Sequence, residues 1–212
     1  MNIAVLISGS GSNLQALIDN QLRYGYRITV VLSNIADAFG LVRAHNAGIA
    51  TCVVNHKDYT GREAFEQAMM TALDVYQPQL VILAGFMRIL TPLFINHYSG
   101  KLINIHPALL PKLKGLDTHS RAIEAQEIEH GASVHFVTAE LDGGSVIAQA
   151  RVPVLADDTA EILAKRVLSV EHQLYPAVVA GLVKGIISTP PDVRIDGIIA
   201  PIDLPLLQQK VA

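Results

Sequence analysis

The first half of the chain alternates short apolar runs with helical patterns, and this alternation constrains the fold more than any other feature. The apolar runs that predict buried strands lie at 2–7, 27–32, 50–54 and 80–84, with helical patterns between them. Strands that alternate with helices form a parallel sheet through right-handed crossovers. The sequence therefore predicts an α/β fold, with a Rossmann-like, mostly parallel twisted sheet and helices on both faces. Ligands of such sheets bind outside the carboxyl ends of the strands.

The pattern changes after residue 107. The runs 130–137 and 145–152 are rich in β-branched residues and are joined by a glycine-containing connection, which predicts antiparallel strands in the C-terminal half. A helix is expected from about residue 157 to about residue 183, since Thr159 and Glu161 provide an N-terminal signal. Two β-like runs at 186–188 and 193–199 predict a hairpin followed by a tail. We therefore expect one domain over 1–185 and an extension over 186–212.

The composition disfavours several classes of protein. Half of the 212 residues are hydrophobic, yet the longest apolar stretches are far shorter than the roughly 20 residues that span a bilayer, so no membrane segment is expected. The single cysteine, Cys52, can form no intrachain disulfide, and the N-terminus shows no secretory pattern, which favours a cytoplasmic location. A net charge of −3 disfavours a broad nucleic-acid footprint, although a small anionic ligand remains compatible with it.

The run 102–107 (LINIHP) places two polar side chains in an apolar strand that is stopped by a proline. Side chains alternate across a strand, so Asn104 and His106 are expected on one face, with their Cα atoms roughly 7 Å apart. An amide and an imidazole at that separation can act on one small group, the first as donor or acceptor and the second as donor or base. Two satisfied core polar residues remain the alternative.

A glycine-rich turn follows the first predicted strand. Residues 8–13 (SGSGSN) separate that strand from a helical pattern that begins near Leu14. A strand, a glycine turn and a helix can bind phosphate, because free N–H groups at the helix N-terminus favour an anion and glycine lets the backbone come close. The third glycine of a dinucleotide fingerprint is absent, since Leu14 occupies its place. A tight turn with Ser12 or Asn13 as the N-cap remains the alternative.

Four stretches together resemble the folate-dependent formyltransferases. They are 7–14 (ISGSGSNL), 83–90 (LAGFMRIL), 104–111 (NIHPALLP) and 141–144 (LDGG), and the resemblance extends over about residues 1–185. The third and fourth stretches are highly specific to the family. The glycine turn resembles that of members whose substrate carries a ribose phosphate. The resemblance implies the formyltransferase fold and transfer of a formyl group from the co-substrate 10-formyltetrahydrofolate to the amine of glycinamide ribonucleotide, in purine biosynthesis.

The resemblance also implies a role for each motif. The catalytic set would be Asn104, His106 and Asp142, acting by direct transfer through a tetrahedral intermediate. The N-terminal half would bind the substrate phosphate, and Glu171 would meet the ribose or glycinamide part. The C-terminal half would bind folate. The residues that would take the phosphate are Gly11, Ser12 and Asn13, and those that would contact folate are Arg62, Met87, Arg88, Ile89, Leu90, Asn104, Ala139, Glu140, Leu141 and Asp142, with Arg62 near the glutamate tail.

Two further observations concern the surroundings of this set. Ser133 and His135 share one face of a predicted strand and are candidate partners of the catalytic residues, with ordinary packing as the alternative. The loop after Pro111 departs from the family pattern. Leu113 and Lys114 precede Gly115 where an aromatic–proline pair often does, and Asp117 stands where a histidine is expected. These departures weaken any role that the family would assign to this loop.

The residue types suit the chemistry of formyl transfer. Attack of an amine on the formyl carbon builds negative charge on the formyl oxygen, which Asn104 could stabilise with its amide N–H. A protonated His106 could do so more strongly, since charge-assisted hydrogen bonds are about twice as strong as neutral ones. An unperturbed histidine has a pKa of about 6.5, so a neighbouring carboxylate is needed to keep the imidazole protonated at neutral pH. Asp142 is the candidate for that carboxylate.

The sequence leaves several functions open. The motifs contain no activated Ser, Cys or Lys nucleophile and no zinc-site spacing, so neither an acyl-enzyme nor a metal is expected. Formylation of methionyl-tRNA would call for a basic C-terminal domain, whereas about 27 residues follow the last predicted helix. Hydrolysis of formyltetrahydrofolate and noncatalytic binding of a nucleotide are also compatible with these residues. The chain is expected to be a monomer or a homodimer, with small molecules as its partners.

Overall fold

The computed structural model describes residues 1–188 and 202–212, and the chain divides into two compact units, 1–104 and 105–212. The strands are β1 (Asn2–Ile7), β2 (Arg27–Ser33), β3 (Ala50–Val53), β4 (Leu80–Leu83), β5 (Leu102–His106), β6 (Glu129–Phe136), β7 (Val146–Pro153) and β8 (Ile202–Asp203). The helices are α1 (Ser12–Tyr24), α2 (Phe39–Asn46), α3 (Arg62–Asp74), α4 (Pro92–His97), α5 (Thr118–Glu124), α6 (Ala160–Val183) and α7 (Leu204–Val211), with a short 3₁₀ turn at His56–Asp58.

The first unit contains parallel strands in the order β3-β2-β1-β4-β5. Strand β1 lies at the centre, and Ile3 to Ile7 are fully buried, which explains why its sequence is continuously apolar rather than alternating. Helix α1 ends at Gly25, whose φ of 73° provides the left-handed C-cap conformation. Asn104 of β5 pairs with Leu83 of β4, so its position in the strand ladder is fixed.

The second unit contains an antiparallel pair. Glu129 of β6 pairs with Pro153 of β7, and the register shifts once between Val134 and His135. Helix α6 packs against both strands and against α7, whose Leu207 is fully buried. The parallel β1–β5 strands and the antiparallel β6–β7 pair confirm the predicted α/β fold class.

The structure differs from the pattern of the sequence at three places. The spacing of Thr60 and Glu63 is typical of a capping box that opens α3, but the N-cap is Gly61 and no side chain caps it. Helix α4, with Pro92 in its first turn, has no clear periodicity in the sequence because it is only 6 residues long. The run 193–199 of the predicted hairpin lies outside the described residues, and beyond it β8 and α7 form where a tail was expected. None of the helices in the described ranges is long and apolar enough to cross a membrane.

Candidate active site

His106 lies beside Asp142 in the second unit. Its Nδ1 atom is 3.4 Å from Oδ2 of Asp142, and the two side chains are only 7% and 9% exposed. On the other side of the ring, Nε2 lies 2.9 Å from the carbonyl oxygen of Leu113. Both ring nitrogens therefore face an acceptor oxygen, an arrangement that an imidazolium satisfies with two N–H donors. In a site that excludes most water, such a group can donate to a developing oxyanion.

Asp142 lies in the connection 137–145 between β6 and β7. Its φ of 49° is left-handed, which aspartate tolerates better than most residues, and its Oδ2 accepts the Gly115 N–H at 2.9 Å. The glycine at 144 is required because a Cβ there would lie 1.8 Å from the carbonyl oxygen of Phe136. The backbone conformation of the LDGG motif thus brings the Asp142 carboxylate to His106.

His135 is the third titratable group of this cluster. Its Nε2 lies 3.6 Å from Oδ1 of Asp142, and its Nδ1 lies 2.9 Å from the carbonyl oxygen of Phe136. Burial lowers the pKa of His135, while the Phe136 carbonyl and Asp142 oppose that shift. Because the Phe136 carbonyl can only accept, Nδ1 of His135 donates to it, and the buried ring lies beside the Asp142 carboxylate.

Ser133 forms hydrogen bonds with the segment that follows His106. Its hydroxyl donates to the Ala108 carbonyl at 2.7 Å and accepts the Leu110 N–H at 3.0 Å. Gln149 of β7 donates to both Ser133 Oγ and the Leu110 carbonyl, each at 2.9 Å. Sequence reasoning missed Gln149, although a lone amide in the apolar run of β7 was the available signal. Together the two side chains fix the chain where it leaves β5.

A second pair of histidines lies behind this segment. His130 Nε2 is 3.2 Å from His119 Nδ1, and the rings meet edge to face. Burial, then the charges of His119 and His106, lower the pKa of His130 to about 4, and burial also lowers the pKa of His119. Both rings are therefore neutral at physiological pH.

The loop that departs from the family pattern contacts the loop of Asp142. The Lys114 ammonium lies 2.7 Å from Glu140, and Arg121 donates to the Lys114 carbonyl at 2.7 Å. These contacts hold Gly115 in the position from which its N–H reaches Asp142. The neighbouring candidate folate residues Ala139 and Leu141 are both exposed, Leu141 by 53%.

The glycine turn lies in the first unit, between β1 and α1. Gly11 is the N-cap of α1, with a φ of 70° and no side-chain cap, so neither Ser12 nor Asn13 is the N-cap. A Cβ on Gly11 would lie 2.6 Å from the Cα atom of Gly40, so α2 approaches this turn closely. Arg43 of α2 donates from Nε to the Ser10 carbonyl at 2.9 Å. Helix α2 thus supports the glycine turn, and the backbone N–H groups at the N-terminus of α1 suit an anion.

The remaining predicted residues lie on three elements. Arg62 begins α3, and 87–90 lies between β4 and α4, where Met87, Arg88 and Ile89 are exposed and Leu90 is buried. Glu171 is buried on α6, one turn before Tyr175, whose pKa is raised by complete burial and by the Glu171 charge. Asn104 is half-buried, two residues before His106 on β5. Within the described ranges, no cluster of three or more His, Cys, Asp or Glu side chains is arranged to hold a metal ion.

Comparison with known proteins places this geometry in a family. Residues 1–179 match the model of the formyl transferase family, and the chain belongs to that family. It is 53% identical over 189 residues to the phosphoribosylglycinamide formyltransferase of Escherichia coli (strain K12), covering 87% of this chain and 88% of that protein. It is 46% identical to the human trifunctional purine biosynthetic protein adenosine-3, covering 82% of this chain but 18% of that longer protein.

Solved structures give the same result at the level of the fold. The phosphoribosylglycinamide formyltransferase of Coxiella burnetii, solved in complex with CHES, superimposes with a TM-score of 0.92 at 45% identity, covering 97% of this chain and 99% of that one. Glycinamide ribonucleotide transformylase 1 from Symbiobacterium toebii superimposes with a TM-score of 0.88 at 42% identity, over 92% and 93% of the two chains.

Proposed function

We propose that this chain transfers the formyl group of 10-formyltetrahydrofolate to the primary amine of glycinamide ribonucleotide, a step of purine biosynthesis. The observation that carries the proposal is the buried pair of His106 and Asp142, 3.4 Å apart, in a chain of the formyl transferase family. The high identity to relatives named for this activity, over nearly their whole length in the Escherichia coli case, supports this choice of substrate. The single cysteine suits a reducing cytoplasm.

The transfer is direct in this proposal. The amine attacks the formyl carbon, and the tetrahedral intermediate carries its negative charge on the formyl oxygen. Asn104 and the His106 imidazolium donate hydrogen bonds to that oxygen. The C–N bond to the folate N10 then breaks, and the proton lost by the amine ends on that nitrogen. Asp142 stabilises the imidazolium throughout.

The proposal requires a change at one hydrogen bond. Nε2 of His106 lies against the Leu113 carbonyl, so the formyl oxygen must take the place of that carbonyl during the reaction. A loop held by Gly115 and the Lys114–Glu140 pair can yield in this way, because an ion pair near the surface contributes only about 0.2–1 kcal/mol.

The other proposed contacts follow the motifs. The substrate phosphate binds the turn at Gly11, Ser12 and Asn13, and Glu171 meets the ribose or glycinamide part. The folate contacts are 87–90, Asn104 and 139–142, with Arg62 near the glutamate tail. The chain acts as a monomer or a homodimer, without a metal.

A spectroscopic assay of folate deformylation tests this function. Turnover that requires glycinamide ribonucleotide is the expected result. Turnover that requires methionyl-tRNA, turnover with water alone, or none with any acceptor would each overturn the proposal. Intact-protein mass spectrometry during turnover should detect no formylated protein, and a covalent formyl adduct that forms and decays at the turnover rate would refute direct transfer.

A further inference from the structure

The segment between β4 and α4 is anchored at both ends by buried polar side chains. At its C-terminal end, the carboxylate of Glu66 accepts the N–H of Thr91 at 2.7 Å and also accepts the Thr91 hydroxyl. Glu66 lies on α3 and is 1% exposed. Burying a carboxylate is costly unless hydrogen bonds compensate for lost water. Here the compensation comes from the backbone and side chain of one residue, so the carboxylate fixes that residue in space.

The N-terminal end of the segment has a different anchor. The Ser8 hydroxyl, 7% exposed, accepts the Met87 N–H at 2.8 Å and donates to Asn34 Oδ1 at 2.6 Å. Asn34 in turn contacts His56, whose Nδ1 lies 3.2 Å from its amide nitrogen. Ser8 and Asn34 directly follow the carboxyl ends of β1 and β2, so this anchor ties the segment to the central strands.

Between the two anchors, two apolar side chains point outward and one is buried. Met87 is 71% exposed and Ile89 is 58% exposed, whereas Leu90 is 7% exposed. Exposed apolar side chains on a backbone that is held at both ends form a preorganised binding surface, because binding there does not carry the entropic cost of ordering the loop. The pattern argues for a ligand with an apolar or aromatic part, and the folate of the proposed function has one.

We infer that Glu66 is a positioning residue for the folate co-substrate. It fixes Thr91 and thereby the surface formed by Met87 and Ile89. Glu66 is also one turn after Arg62 on α3, so the same rigid helix sets the distance between that surface and the cation proposed for the glutamate tail. This inference rests on the proposed function. It adds that folate affinity depends on a carboxylate that does not touch folate.

Three variants and one matched control test the inference. In Glu66→Ala both hydrogen bonds are lost, and in Thr91→Val only the one from the hydroxyl is lost. In Glu66→Gln the amide can accept from the Thr91 N–H and donate to its hydroxyl oxygen, so function should be rescued. Glu63→Ala removes an exposed carboxylate from the first turn of the same helix and serves as the control.

The expected result is selective for one substrate. In Glu66→Ala the KM for 10-formyltetrahydrofolate should rise about 10-fold, as expected for about 1.4 kcal/mol, while the KM for glycinamide ribonucleotide stays within about 2-fold. Thr91→Val should show a smaller rise, and Glu66→Gln and Glu63→Ala should match the wild type. Equal rises in both KM values, a Glu66→Gln variant as impaired as Glu66→Ala, or a wild-type KM in both Glu66→Ala and Thr91→Val would overturn the inference.

Two further measurements separate possible failures. Direct titration of each folded variant with 10-formyltetrahydrofolate reports affinity without an acceptor, so it does not depend on the identity of the amine. If the wild type binds folate but turns over another acceptor, only the proposed function fails. If Glu66→Ala does not fold, the inference is tested in Thr91→Val by amide hydrogen exchange at Met87 and Ile89. Faster exchange at both amides is expected. Unchanged exchange in Thr91→Val together with unchanged folate affinity would refute the inference.

Discussion

Replacing Asp142 with asparagine removes the charge that faces His106 and leaves the shape of the site nearly unchanged. An asparagine can still offer an oxygen to the Gly115 N–H, so the loop contact at 2.9 Å can persist. What is lost is the negative charge 3.4 Å from Nδ1 of His106. The substitution therefore tests whether this charge stabilises an imidazolium that donates to the formyl oxygen.

The magnitude follows from the distance and the burial. Two unit charges about 3.4 Å apart at an effective dielectric constant of about 20 interact by about 5 kcal/mol, which is an upper bound because the asparagine oxygen still accepts the imidazole N–H. Converting a charge-assisted interaction to a neutral one removes about 1 to 2 kcal/mol of that. We expect kcat to fall about 10-fold, since about 1.4 kcal/mol corresponds to a factor of 10.

Steady-state kinetics with both substrates varied, together with a folate titration, measures this effect. Folate affinity should change by less than about 3-fold, because the charge acts mainly in the transition state. Asp157→Asn, which neutralises an exposed carboxylate in the same unit, is the control and should retain wild-type kinetics. A kcat of Asp142→Asn within about 3-fold of the wild type would show that His106 does not act as an imidazolium.

Two other perturbations test the surroundings of the site. The pKa of His130 is about 4 in the folded chain, below the value of an unfolded histidine, so the unfolded chain takes up this proton first as the pH falls. The free energy of unfolding should therefore drop by at most about 3 kcal/mol between about pH 6.5 and pH 4. Urea unfolding at pH 7 and pH 4 should show a smaller drop for His130→Gln, and equal drops would contradict the assigned shift. In Gly40→Ala the new Cβ would lie 2.5 Å from Cδ1 of Ile7 and should displace the glycine turn, which raises the KM for glycinamide ribonucleotide about 10-fold and leaves the KM for folate unchanged. Gly61→Ala, which has open space at an extended φ of −164°, is the control, and a rise in both KM values of Gly40→Ala would argue against a role of the turn in phosphate binding.

Local sequence patterns predicted the strands and the longer helices. The strand β1 and the end of β5 at His106 follow from runs of apolar residues and from a proline, which are properties of consecutive residues. The spacing of Thr60 and Glu63, which is typical of a capping box, does not cap α3, because its N-cap is Gly61 and no side chain caps it. Local patterns also missed the helix α7, whose buried Leu207 depends on α6 for its packing.

The candidate site needed more than local patterns. The sequence alone predicted Asn104 and His106 at a strand end and a glycine turn before α1 that suits an anion, but a carboxylate beside His106 entered only through the resemblance to a family. The tertiary structure places Oδ2 of Asp142 at 3.4 Å from Nδ1 of His106, and it places the Glu66 carboxylate where it accepts the Thr91 N–H. Helix and strand periodicity depends on near neighbours along the chain, whereas contacts between distant residues depend on how whole elements pack. For that reason the fold class could be derived from the sequence, and the contacts that tune the site could not.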